Sequence, residues 1–403
     1  MLKECYRSIK LSLKYVISQV SLTQLPRFAV LPASSSPFLR ASTLFLLMLC
    51  AGTLPAHAGE RAKVQSQVGY SIDFGSSNGS SPEASPISLS ELTRRADRGD
   101  ALAENNLAYL YTFGLHVPQD YSQAARWYTR SAAQGFAAAQ YNLGALYEHG
   151  LGLGGDFKLA VKWYRMAANQ GHVLAQSRLG FMHEQGFGVS ANSDEAMKWY
   201  RAAAEQDDPA AQCNLAQGYL SGRGVPRDLS EAAKWFRKAA AAGLPAAQNN
   251  LAALYHHGWG LAVDYQQALR WYRAAAEQGL AEAKNSLGVM YEDGLGVQRD
   301  YAQAAHWFQA AAQQGDAAGE YDLATLYAAG RGVPLDYVSA YVWYGLAASA
   351  GDQRSARQLK ALRKLMTPDQ LQQALAKLAE QQKLDVARRQ PEAAGFVAFP
   401  ESK

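Results

Sequence analysis

The sequence predicts an all-α solenoid of seven 36-residue helix-turn-helix repeats with capping helices at both ends, and three observations carry that prediction. Seven of the eight tryptophans, Trp127, Trp163, Trp199, Trp235, Trp271, Trp307 and Trp343, recur at a spacing of 36. Between them, small and large apolar residues return at helical offsets, as Ala139, Leu143, Gly144 and Tyr147 do. Paired glycines and an acidic residue then recur at one fixed place in the unit, as Gly150, Gly152 and Asp156 do. A period of this length marks a stack of supersecondary units, each burying its apolar face on its neighbours. The units are 100–135, 136–171, 172–207, 208–243, 244–279, 280–315 and 316–351, without an insertion.

Ahead of the repeats, residues 1–58 read as a signal peptide with an extended amino-terminal region. Arg40 precedes a short apolar run, Leu44 to Leu54, and Ala56 and Ala58 supply small residues for cleavage before Gly59. The run is too short to span a bilayer comfortably. Periplasmic delivery is the first expectation and secretion the second. Leu49 occupies the place where a lipoprotein signal ending at Cys50 needs a small residue. Residues 59–87, which include GSSNGSSPEASP, form a flexible Ser/Gly/Pro linker. Residues 88–99 take the place of a second helix, with Glu91 where the tryptophan would be, and read as an amino-terminal cap.

Within a unit, Gly150 and Gly152 end the first helix. Asp120, Asp156, Asn192, Asp228, Asp264, Asp300 and Asp336 are expected to N-cap the second. Gln123, Glu195, Glu231, Gln267 and Gln303, three residues on, predict complete capping boxes in five units. The third unit departs most from the pattern, with His183 for Tyr, Asn192 for Asp and Asp207 for the terminal Gly. It is the expected soft spot. After Gly351, amphipathic stretches within 352–384 predict capping helices, the second opened by Thr367 and Pro368, and 385–403 reads as a flexible tail.

Unit two carries Ala139, Leu143, Gly144, Tyr147, Gly150, Gly152, Asp156, Ala160, Trp163, Tyr164, Ala167, Ala168 and Gly171. This pattern resembles the Sel-1-like repeat, a relative of the tetratricopeptide repeat found in secreted and periplasmic bacterial proteins, and the resemblance covers residues 100–351. It implies a right-handed α-solenoid whose first helices line a concave surface that holds other proteins. Some members are cysteine-rich and linked to β-lactams. Here Cys213 is the sole cysteine outside residues 1–58, and no SxxK occurs.

Composition narrows the function further. Residues 1–58 hold six Lys/Arg and one acid, which leaves 33 basic and 34 acidic residues in the remainder, so no basic bias points to nucleic acid. Gly150 to Gly155 match GxGxxG, but Gly150 and Gly152 belong to the recurring loop and no strand precedes them. Gly75 to Gly79 match GxSxG inside the linker, a product of its composition. His256 and His257 lack the companions of a metal site. No catalytic residue, cofactor or metal is expected.

What remains is the surface that the resemblance assigns to the first helices. Its positions are Asn105, Asn106, Tyr109, Tyr141, Asn142, Arg178, Phe181, Asn214, Gln217, Asn249, Asn250, Asn285, Tyr321 and Asp322. An asparagine amide offers a donor and an acceptor and so matches a peptide bond. The plainer reading is hydrogen bonding within the solenoid. The expected function is a non-catalytic scaffold that binds envelope proteins or peptides, with a secreted effector acting on host proteins, or a β-lactam- or peptidoglycan-active enzyme, as the alternatives.

Overall fold

The computed structural model describes residues 88–389, and all seventeen elements in that span are helices. The cleavage site at Ala58–Gly59, the linker, the GxSxG match and the residues after Arg389 lie outside the described residues. Helix α1 (Leu89–Asp97) is the amino-terminal cap. The repeats follow as pairs: α2 (Ala101–Phe113) and α3 (Tyr121–Ala133), α4 (Ala137–His149) and α5 (Phe157–Ala168), α6 (Val173–Gln185) and α7 (Ser193–Ala204), α8 (Pro209–Ser221) and α9 (Leu229–Ala241). Next come α10 (Pro245–His257) and α11 (Tyr265–Glu277), α12 (Ala281–Asp293) and α13 (Tyr301–Ala312), α14 (Ala317–Ala329) and α15 (Tyr337–Ser349). Each helix packs on the one before and the one after, which makes the fold an all-α solenoid. Helices α16 (Gln353–Leu362) and α17 (Pro368–Arg389) close it, and α17 continues five residues past the expected start of the tail.

The deepest aromatic of each repeat is the residue after the tryptophan. Tyr128, Tyr164, Tyr200, Phe236 and Phe308 are fully buried, and Tyr272 and Tyr344 nearly so. Of the seven periodic tryptophans only Trp235 is buried, and Trp127, Trp163, Trp199, Trp271, Trp307 and Trp343 are half-buried at the seams between repeats. Ring size explains the division. The small residue of the first helix leaves room for one ring, and a Cβ on Gly180 or Gly288 would stand 2.7 Å from Tyr200 or 2.4 Å from Phe308. In the cap, Leu92 occupies the position of Tyr128 and is likewise fully buried, while Glu91 pairs with Arg94 at 2.6 Å.

All seven second helices begin at the expected N-cap, each carboxylate or amide oxygen accepting from the first turn. The reciprocal half of the capping box is absent, a correction to the sequence reading. The N–H of each cap residue donates instead to a carbonyl of its own first helix, as Asp228 N–H does to Tyr219 O at 2.9 Å and Asn192 N–H to His183 O at 2.8 Å. That bond leaves the glutamate or glutamine no donor to reach. Glu195 and Glu231 take Lys198 and Lys234 instead. The complete box is at Thr367, whose N–H donates to Gln370 Oε1 at 2.9 Å while its hydroxyl accepts from Gln370 N–H at 3.2 Å.

The second loop glycine sets the repeat-to-repeat distance. A Cβ on Gly224 would lie 2.2 Å from Ser193 O, on the first turn of the preceding second helix. The first repeat has no repeat before it, and His116 fills this place at φ 61°. Asp207 holds a left-handed conformation too, at φ 62°, where the other repeats have glycine. A non-glycine residue there costs about 1 kcal/mol. Asp207→Gly is therefore expected to stabilise the third repeat by up to about that amount, read as slower amide exchange over residues 181–209. Unchanged exchange would contradict it.

Candidate functional site

The first-helix positions fall into two groups. Tyr109, Tyr141, Asn142, Arg178, Phe181, Asn214, Asn285 and Tyr321 are partly exposed. Asn105, Asn106, Gln217, Asn249, Asn250 and Asp322 are buried, Asn106 to 1% exposure, so they form the floor beneath the accessible surface. The same-face geometry follows from the fold: adjacent first helices come close enough for Asn142 Nδ2 to donate to Asn105 Oδ1 at 3.2 Å across the repeat boundary. Asn105 in turn donates to Asn106. At this end the asparagines bond one another, as the plainer reading expects, while Asn106 Nδ2 has no hydrogen-bond partner.

Further along, the amides are left open. Gln217 Oε1, Asn249 Oδ1 and Asn285 Oδ1 are buried atoms with no hydrogen-bond partner. Leaving such an acceptor unmet costs about 1–3 kcal/mol, which a donor from water or from a bound segment recovers. The aromatic side chains concentrate earlier: Tyr109 lies against Phe113 at 4.5 Å between ring centroids, and Tyr141 stacks on His172 at 5.0 Å. Arg178 brings no free charge to this surface. Its guanidinium grips Glu148 of the preceding repeat through two nitrogens and lies over Phe181 at 4.6 Å. The Tyr164 hydroxyl donates to the same carboxylate at 2.7 Å.

The far end is acidic. Burial, reinforced by the Glu292 charge, pushes the Asp322 carboxyl up to about 7, while Arg354 and the Asn285 amide act in the opposite direction. Arg354 itself lies 4.2 Å above the Tyr321 ring and donates to Asp352 at 3.0 Å. The face thus runs from rings through open acceptors to carboxyl groups. It can seat apolar side chains and hydrogen-bond a backbone, and at the far end Arg354 already acts on the buried Asp322 carboxyl. Cys213, buried to 1% exposure on α8, has the surroundings of a packing residue rather than a nucleophile.

Two features escaped the sequence reading. Gln140, Gln176, Gln212 and Gln248 form a buried inter-repeat ladder: Gln176 Nε2 donates to Ala168 O at 3.2 Å and its Oε1 accepts from Gln206 Nε2 at 2.7 Å. Glu148 and Glu184 are the other, each taking the hydroxyl of the deep tyrosine and an arginine of the next repeat. Recurrence at 36 would have found the glutamines. The carboxylates recur in too few repeats for that signal.

His256 and His257 stack on each other at 4.4 Å, and His257 stacks on Trp259 at 4.6 Å. Burial, with the neighbouring His257, lowers the His256 pKa to about 4. A histidine so lowered supplies stability above the unfolded value of about 6.5 that is lost as pH falls toward 4. Asp322, raised, works in the reverse sense over the same window. The difference between wild type and His256→Gln isolates the histidine: acidification from pH 7.5 to 4 is expected to destabilise wild type by on the order of 2 kcal/mol more. Parallel urea midpoints for the two proteins would contradict this.

The Sel1 repeat model matches residues 101–136, 137–172, 173–208, 209–244, 245–280, 281–316 and 317–352, the helical pairs just described. The chain belongs to the Sel1 repeat family. It is similar to a solved protective antigen of uropathogenic Escherichia coli with an SLR fold, at 35% identity and a TM-score of 0.65, over 72% of this chain and 64% of that one. This Sel1 repeat chain therefore spans less than two-thirds of that relative's length. It is also similar to a solved Sel1 repeat protein from Oxalobacter formigenes, at 34% identity and a TM-score of 0.56, over 68% of this chain and 79% of that one. Comparison with curated proteins gives no match. Sel1 repeat proteins are in general scaffolds for protein–protein interaction, and no helix among the described residues is long and apolar enough to cross a membrane.

Proposed function

We propose that this Sel1 repeat protein is a non-catalytic scaffold of the bacterial cell envelope that holds other proteins or peptides along its first-helix face. The observation that carries the reading is the row of buried acceptors without partners, Gln217 Oε1, Asn249 Oδ1 and Asn285 Oδ1, between aromatic and acidic ends. A bound segment supplying N–H donors satisfies them and leaves the fold unchanged. Export rests on the apolar run and the Ala56/Ala58 pair ahead of Gly59. A second reading, a secreted effector acting on host proteins, takes its support from the similar chain being a protective antigen of a uropathogenic strain.

The test is a double variant, Phe181→Ser with Asn214→Ala, since both side chains are partly exposed. It is expected to keep its helicity and to lose most capture of the envelope partner. Capture equal to wild type would remove the first-helix face as the site. Fractionation separates the two readings, and an exported chain that begins at Gly59 supports both. Retention of residues 1–58 would overturn the export proposal.

A further inference from the structure

The cations of the second helices are not treated alike. Lys198 and Lys234 each pair with a glutamate three residues earlier, Glu195 at 2.6 Å and Glu231 at 2.9 Å. Arg201, Arg237 and Arg273 each reach the hydroxyl of a tyrosine in the next repeat, Tyr219, Tyr255 and Tyr291. In α5 the glutamate is missing and a histidine stands for the tyrosine. The position three before Lys162 is Leu159, and the residue eighteen after Arg165 is His183. Arg165 approaches its Nε2 at 3.5 Å, and His183 has its pKa lowered by burial and by that arginine.

Lys158, Lys162 and Arg165 share one helical face at offsets of four and seven. Like charges so spaced destabilise a helix by about 0.2–0.5 kcal/mol per pair. What the fold takes from the stripe is limited to Lys162 lying 5.7 Å from the Trp163 ring centroid and Arg165 reaching His183. The three line a cleft of about 380 Å³ between α5 and the Gly188–Val189 loop of the next repeat, with Val161, Met166 and Val189 as its apolar lining. No acidic side chain is among the residues that line it. Glu195 of the neighbouring helix, whose carboxyl also feels the Arg165 charge, is held by Lys198. Beside the cleft, Phe157 and Phe187 stack at 5.2 Å and are 43% and 40% exposed. Gly188 seats that loop directly on the Phe157 carbonyl, so the rings and the cleft form one continuous surface.

We propose that this cleft is a second docking site, on the opposite helices from the first-helix face, for an acidic peptide segment that carries an aromatic or aliphatic anchor. Charge complementarity selects the occupant. Three cations that form no salt bridge among the described residues attract carboxylates, and the exposed faces of the stacked phenylalanines take an apolar side chain against them. None of its residues is on the first-helix face, and the two surfaces meet where Phe187 lies 6.0 Å from Phe181 between ring centroids.

The probe is a fluorescent synthetic peptide of alternating Asp and Glu with two central Phe, titrated into the full chain in anisotropy at low and high salt. Saturable binding that weakens with salt is expected, with about a tenfold loss in Lys158→Glu/Lys162→Glu, the effect of turning two surface ion pairs repulsive. Phe187→Ser is expected to weaken binding at both salt concentrations. Both variants change exposed side chains, and circular dichroism confirms that they fold. Asn214→Ala, on the first-helix face, should bind this probe as wild type does. Absence of saturable binding, or equal binding by the charge-reversal variant, overturns the proposal. So does stronger association of the wild-type chain with phosphatidylglycerol vesicles than with the peptide, which would make the stripe a lipid-facing surface.

Discussion

Phe236→Ala is expected to cost about 3–5 kcal/mol, because it empties a fully enclosed ring site in a central repeat. Trp271→Ala, at a half-buried seam, should cost roughly half as much despite its larger side chain. The contrast follows from where the rings sit. Phe236 fills the space left by the small residues of its repeat's first helix, whereas Trp271 keeps one edge in solvent between repeats. Trp235, the buried periodic tryptophan, should behave like Phe236. Urea unfolding followed by circular dichroism measures all three. A Trp271→Ala loss equal to that of Phe236→Ala would show that the seams, not the intra-repeat ring sites, hold the solenoid together.

Gly332→Ala is expected to cost roughly 3 kcal/mol, against about 1 kcal/mol for Gly243→Ala. Both glycines have positive φ, 68° and 91°. The conformational strain on an alanine is therefore similar. Space is what differs: a Cβ on Gly332 would meet Tyr301 O at 2.2 Å, while one on Gly243 meets nothing within 4 Å. Gly332 touches backbone of the preceding repeat, and backbone cannot swing aside as a side chain can. The same urea midpoints decide this pair. Equal losses would mean that strain alone accounts for the loop glycines and that they do not set the repeat spacing.

The repeat and its N-caps were legible because each rests on residues that recur at 36. What recurrence cannot show is which of two adjacent recurring residues is deeper. The tryptophan and the Tyr or Phe after it both recur in every repeat, and the choice between them is made by the room left opposite Gly180 and Gly288, a property of two helices together. The capping boxes were over-read for a related reason. The motif is local, but the competing acceptor, the carbonyl of Tyr219 and its equivalents, belongs to the other helix. At the candidate site, sequence assigned positions on the first helices but not their depth. Asn106 and Asn250 hold the same register as Asn142 and Asn214 yet are buried, because burial there depends on how closely the neighbouring repeats approach. The cation stripe of α5 was open to inspection residue by residue. Its lack of pairing appeared only against Glu195, Glu231 and the tyrosines that serve the other repeats.

The central claim, that partners lie along the first helices, is tested most directly by photo-crosslinking in the native host. A benzophenone amino acid is placed at Phe181 or Asn214 on the first-helix face, and at His306, which is exposed on the second helix α13. The account predicts a discrete crosslinked protein from positions 181 and 214 and none from 306. A partner captured from position 306, with positions 181 and 214 silent, would contradict it.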